Sequence, residues 1–146
     1  MRFSCTLKNG IVYVPTVART EVGFYMIREP VAVVPAANTE ALRRALDDVM
    51  ARRNAVIPTP KRNSYPPPVL PKYAGEKTWS AFMRGVSEWK INEKDGNYQI
   101  VQYRENPKGD GSWVEDPDRK IEFPPGTAVD DVIDRMIAIL QDAARK

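Results

Sequence analysis

Apolar and polar residues alternate from Phe3 to Leu7, and an apolar run resumes at Ile11-Val12-Tyr13-Val14. Between them stands Asn9-Gly10. Alternation of period two marks a half-buried strand, and Asn-Gly is a strong hairpin turn because both positions tolerate positive φ. The chain therefore predicts a hairpin at its start. Pro15 either ends the second strand or puts it on a sheet edge, since proline has no N–H for the ladder. A third β-rich run covers Val22-Gly23-Phe24-Tyr25-Met26-Ile27, and Val31-Ala32-Val33-Val34 extends it past a break at Pro30. Cys5 shares a face with Phe3 and Leu7 and reads as a small buried hydrophobe.

The period then changes from two to that of a helix. Leu42, Leu46, Val49 and Met50 form one apolar stripe, with Arg43, Arg44, Asp47 and Asp48 on the other side as two i,i+4 pairs. Asn38 or Thr39 is placed to cap the N-terminus, and Arg52, Arg53 and Asn54 close the other end. Six prolines follow between Pro58 and Pro71, including Pro66-Pro67-Pro68. Such a stretch favours stiff polyproline II backbone. It reads either as a strap between two substructures or as a recognition strand for an aromatic groove.

Structure restarts with a short helix over Lys77–Val86, where Trp79, Phe82, Met83 and Val86 fall at helical spacing, with Thr78 or Glu76 marking its start. Three strands are predicted next: Glu88–Ile91, Tyr98–Tyr103 and about Lys120–Phe123. Asp95-Gly96-Asn97 turns between the first two, and Asn106–Gly111 is a loop. A final helix carries Val129, Val132, Ile133, Met136 and Leu140 on one face, and Thr127 with Asp130 resembles a capping box. The expected fold class is α+β: antiparallel sheet strands packed by amphipathic helices. Its outline is two β-then-α halves, residues 1–57 (βββα) and 72–146 (αβββα), joined by the proline-rich strap 58–71. The halves are either separate or share one domain.

Composition narrows the chemistry. The 146 residues include no histidine, which removes Ser-His and Cys-His nucleophile pairs and imidazole metal sites. One cysteine forms no internal disulfide. No apolar stretch approaches the roughly 20 residues of a membrane span, and the N-terminus lacks the apolar core of a signal peptide. The expectation is a cytoplasmic, non-enzymatic protein without cofactor or metal. The densest acidic cluster, Glu115-Asp116-Pro117-Asp118, has neither EF-hand spacing nor an apolar pocket for a catalytic carboxyl pair. Phosphate-binding glycine signatures are absent.

Charge is uneven. Residues 1–73 hold 11 Lys/Arg against 5 Asp/Glu, while residues 74–146 hold 11 against 14. The basic half, interleaved with Tyr13, Phe24, Tyr25 and Tyr65, has the residue types that single-stranded nucleic acid needs, though no nucleic-acid-binding motif accompanies them. A nucleic-acid-binding or regulatory module is therefore the alternative reading. All three tryptophans lie in the acidic half, and Trp113, in a polar stretch, is the one expected to be exposed.

Several pieces of the second half belong together: Lys72-Tyr73-Ala74, Trp79-Ser80-Ala81-Phe82 with Arg84-Gly85, Trp89, Trp113 with Asp116-Pro117-Asp118, Phe123-Pro124-Pro125-Gly126, and Val129–Ile137. Through them residues 72–146 resemble the immunity proteins of bacterial contact-dependent growth inhibition systems. The resemblance implies a protein that binds a cognate toxin domain in the cytosol and blocks its active site, with no catalytic residue of its own. Nuclease toxins tend to be basic, which suits an acidic contact surface. The contact residues expected on this reading are Trp113, Glu115, Asp116 and Asp118.

Overall fold

Asn9 and Gly10 both adopt positive φ, 51° and 77°, the pair of angles a tight hairpin turn requires. They join β1 (Arg2–Lys8) to β2 (Ile11–Thr20), with Lys8 opposite Ile11 and Thr6 opposite Tyr13. This hairpin opens a computed structural model that describes all 146 residues.

Pro15 does not end β2, nor does it lie on an edge. It sits inside a strand flanked by β1 and by β3 (Tyr25–Pro35). Its two neighbours meet β2 differently. Toward β3, Pro15 pairs with Val31 but Thr16 pairs with Arg28, so Glu29 and Pro30 bulge out of the ladder. The Thr16 hydroxyl donates to the Pro30 carbonyl at 2.9 Å. Toward β1, the ladder stops at the Thr6–Tyr13 pair. Beyond it Asn54 bridges the gap. Its carboxamide oxygen accepts from the Arg2 N–H at 2.8 Å, and its amide donates to the Arg2 carbonyl at 2.9 Å and the Val17 carbonyl at 2.8 Å. β3 also begins later than the apolar run suggests: Val22, Gly23 and Phe24 form the turn before it.

Helix α1 (Thr39–Arg52) is capped by Asn38, whose side chain accepts from the Ala41 N–H at 3.1 Å. Its Leu42, Leu46 and Val49 are buried. Arg43 forms its ion pair with Asp134 on the last helix rather than with Asp47 one turn on. A short β4 (Val56–Ile57) lies parallel to the end of β2. Residues 58–69 cross without regular structure to α2 (Leu70–Tyr73) and α3 (Trp79–Met83). Thr78 caps α3 through the Ala81 N–H. At the other end Lys8 donates to the Ala81 and Phe82 carbonyls at 2.9 and 2.7 Å, a cation on the negative end of a helix.

Strands β5 (Ser87–Lys94), β6 (Asn97–Glu105) and β7 (Trp113–Glu122) form a meander, and α4 (Val129–Ala144) closes the fold. Asp95 and Gly96 make the β5–β6 turn. Thr127 does not cap α4: its hydroxyl donates to the Pro124 carbonyl at 2.6 Å, and Ala128 stands at the cap position. Asp130 and Asp131 still place negative charge in the first turn.

The strand order is β3-β2-β1-β5-β6-β7, with β4 beside β2. The fold class is thus α+β, a seven-stranded and mainly antiparallel sheet with four helices. At its centre β1 and β5 pair from Arg2–Asn92 to Leu7–Ser87. The pleat sends Phe3, Cys5 and Leu7 to one face beside Trp89 and Ile91. There α1 and α4 cover them with Leu42, Leu46, Val132, Met136 and Leu140, in one core built from both ends of the chain. Burying each such side chain contributes about 1.5–3 kcal/mol. Burial also pushes the Cys5 thiol up to about 12, which keeps it protonated and inert. On the opposite face a smaller cluster joins Tyr13 to Leu70, Phe82 and Met83 of α2 and α3.

Asn54 offers a direct test of how the split between β1 and β2 is held. Asn54→Ala leaves three backbone groups without partners, so the unfolding free energy measured by urea titration should fall by about 2–4 kcal/mol. An unchanged midpoint would mean that water replaces the bridge fully.

Candidate functional site

The acidic tetrapeptide lies in β7, the edge strand of the sheet. Its pairing with β6 is regular at both ends: Ile100 opposes Ile121 and Val101 opposes Lys120, then Tyr103 opposes Glu115 and Glu105 opposes Trp113. Between these, the four residues Asp116 to Arg119 stand opposite the single Gln102. Pro117 cannot donate to a ladder, and a bulge on an edge strand is where such a residue is tolerated. The bulge also blunts the edge against pairing with another strand.

Asp116 holds the bulge in shape. Its carboxylate accepts from the Asp118 N–H at 3.0 Å, and its other oxygen lies 3.9 Å from Arg119 Nε. Asp118 is thereby turned outward and is exposed. Upstream, Asp110 accepts from the Ser112 N–H at 2.9 Å and its hydroxyl at 2.6 Å, which holds its carboxyl below the usual range. The acids of this region thus close local turns and do not converge on a common point.

Nor do the four expected contact residues form one patch. Trp113 is not in a loop: it opens β7, is half-buried, and packs against the cluster of Tyr13, Leu70, Phe82 and Met83. Glu115, two residues on, is on that same side of the strand and is exposed. Asp118 instead lines a groove on the face covered by α4. The groove has a volume of about 990 Å³, runs between β6, β7 and the end of α4, and is floored by Trp89, Ile100, Ile121 and Ile139. Asp116 stands between the two sides.

A second group of charged residues has no counterpart in the sequence reading. Register places Glu88 opposite Tyr103, and Tyr103 opposite Glu115, on the face of α2 and α3. Lys90 reaches back to within 3.6 Å of the Glu88 carboxylate and sits 4.1 Å above the Tyr103 ring. Beside them Arg2 donates from Nε to Asn92 Oδ1 at 2.9 Å. Beneath them Ser4 and Thr6 are buried. Burial raises the Glu88 carboxyl above its ordinary range despite the nearby ammonium, and burial lowers Lys90 despite the nearby carboxylate. A pair displaced in this way marks either a reactive site or a structural ion pair. Here each charge is compensated by the other, Lys90 also by the Tyr103 π face, and neither residue lines the groove. Lys90 over the Tyr103 ring locks β5 to β6 on this face, and Tyr103 stands opposite Glu115 of β7. The only signal in the sequence is a charged residue every second position along Glu88-Trp89-Lys90.

A double-mutant cycle isolates the Glu88–Lys90 pair. Lys90→Met should cost more stability in the wild-type chain than in a Glu88→Gln background, with a coupling of about 1–3 kcal/mol by chemical denaturation. Additive effects would mean that the two charges are solvated independently.

No protein-family model matches the sequence, and no curated protein matches it. Among solved structures the chain is similar to a protein of unknown function, NMB0488, from Neisseria meningitidis. The TM-score is 0.62, with 98% of this chain and 92% of that one covered and 12% of residues identical. What the two share at that identity is the fold, over nearly the whole of both chains.

Proposed function

We propose that the chain is a non-catalytic protein-binding inhibitor, an immunity protein that neutralises a cognate toxin domain in the cytoplasm. The β7 bulge carries the reading. It presents Glu115 and Asp118 from an edge strand that pairs with β6 on both sides of the bulge and whose local shape is fixed by Asp116. A surface held rigid before binding loses little conformational entropy when a partner docks, and this favours tight inhibition. Its acidic side chains suit a basic toxin surface, and fixed charges steer the encounter. On this reading residues 1–57 and 72–146 are two β-then-α halves strapped by 58–71, and the strap keeps α2 and α3 beneath Trp113. No helix is long and apolar enough to cross a membrane.

The reading expects a toxin domain to be encoded beside the gene, and the test uses that domain. The two purified proteins should form a stable complex, and co-expression should restore growth to cells making the toxin. Replacing Trp113, Glu115, Asp116 and Asp118 together by Ala should weaken the complex at least about tenfold in calorimetry. Full affinity in that variant would reject these contact residues, and absence of both complex and rescue would reject the inhibitor.

A further inference from the structure

At the opposite edge of the sheet, the β2–β3 turn and the proline-rich segment meet. The Thr20 hydroxyl accepts from the Phe24 N–H at 3.1 Å and closes the turn. The Val22 N–H donates to the Thr59 hydroxyl at 3.2 Å, and the Glu21 N–H donates to the Ile57 carbonyl at 3.1 Å. These bonds bring the Phe24 ring to 6.4 Å from the Tyr65 ring, tilted by 37°. Both rings face water, Phe24 at 38% and Tyr65 at 54% exposure. Large aromatics are expensive to leave exposed, and a pair of them drawn from two segments marks an interaction surface.

The cations around the rings point to the partner. Arg19 stands opposite Tyr25 on one side and Val56 on the other. Lys61 and Arg62 lie in the turn closed by the Ser64 N–H and the Lys61 carbonyl at 2.8 Å, just before Tyr65. All three are exposed, and none lies within ion-pairing distance of an acid. Exposed cations on the same segments as two exposed rings are complementary to a ligand with anionic groups and flat faces.

We propose that this corner binds single-stranded nucleic acid. Phe24 and Tyr65 stack on bases, while Arg19, Lys61 and Arg62 hold phosphates. The size of the patch favours this ligand over a protein. The exposed large apolar side chains of the corner are Val22, Phe24 and Tyr65, against roughly 20–30 residues a side in a stable protein pair. One ring suffices to stack one base, and every base offers a face. The site is separate from the β7 bulge and does not depend on the inhibitor reading.

The test titrates the intact protein into fluorescently labelled 12-residue oligo(dT) and oligo(U) and follows anisotropy at several salt concentrations. Wild type should bind both, with affinity falling steeply as salt rises. Phe24→Ala and Tyr65→Ala should each weaken binding roughly tenfold at a fixed salt concentration. Lys61→Ala with Arg62→Ala should lower the slope of log affinity against log salt by about 1.4, or about 0.7 for each phosphate released. All these positions are on the surface, so an unchanged unfolding midpoint confirms that the fold is intact. No binding at 50 mM salt would overturn the proposal, as would binding indifferent to the two rings. Loss of toxin affinity in the same variants, with no oligonucleotide binding, would make the corner a protein interface instead.

Discussion

The pairing of β1 with β5 is the constraint on which everything else rests. These strands are separated by some eighty residues of chain, yet they lie side by side at the centre of the sheet. Once Phe3 stands beside Ile91 and Cys5 beside Trp89, every outer strand has its register set in turn. A slip of one residue would move Phe3, Cys5 and Leu7 to the polar face and put Ser4 and Thr6 under the helices. The apolar face leaves room for no such slip, because α1 and α4 both close over it and are tied to each other by Arg43 and Asp134.

A central strand containing proline is a conflict between local and global preference, and the fold resolves it with side chains. Asn54, just past the end of α1, supplies the donors and acceptor that β2 cannot present to β1 near Pro15. On the other side the Glu29-Pro30 bulge takes Pro30, which has no N–H, out of the ladder, and its Glu29 is then free to pair with Lys72 and dock α2. The opposite edge uses the same device: the Asp116–Arg119 bulge absorbs Pro117 in β7. Both bulges therefore begin as solutions to a missing N–H. The first bulge spends its Glu29 on an ion pair with Lys72, whereas Glu115 and Asp118 at the second are exposed and in no ion pair, which is why the second is the candidate contact surface.

What the sequence made legible was local. The Asn9-Gly10 turn, the Asn38 cap and the stripes of α1 and α4 depend on residues a few positions apart, and all are present. What it hid was non-local. Pro15 reads as a strand end unless one knows that Asn54, thirty-nine residues on, will bridge the gap. Thr127 has the spacing of a cap, but its hydroxyl is taken by Pro124. Trp113 follows a run of polar residues and looks exposed until α3 is placed beneath it. The Glu88–Lys90–Tyr103 cluster needs two strand registers before it exists at all. Charges on a predicted strand normally face water, and nothing within β5 says that these are largely buried.

The net charge of +3 was equally misleading, because it averages two surfaces that do not see each other. The β7 bulge and the Phe24–Tyr65 corner belong to opposite edges of a sheet six strands wide. At about 4.8 Å per strand the edges are some 24 Å apart. The screening length at physiological ionic strength is about 8 Å, so direct coulombic coupling between the two surfaces is negligible. Each can therefore be acidic or basic on its own terms. Communication between them would have to pass through the β1–β5 pair and the packed core, whose register a one-residue slip would reverse. Binding at one edge should thus leave the other as it was, and the two surfaces act as independent sites on one rigid frame.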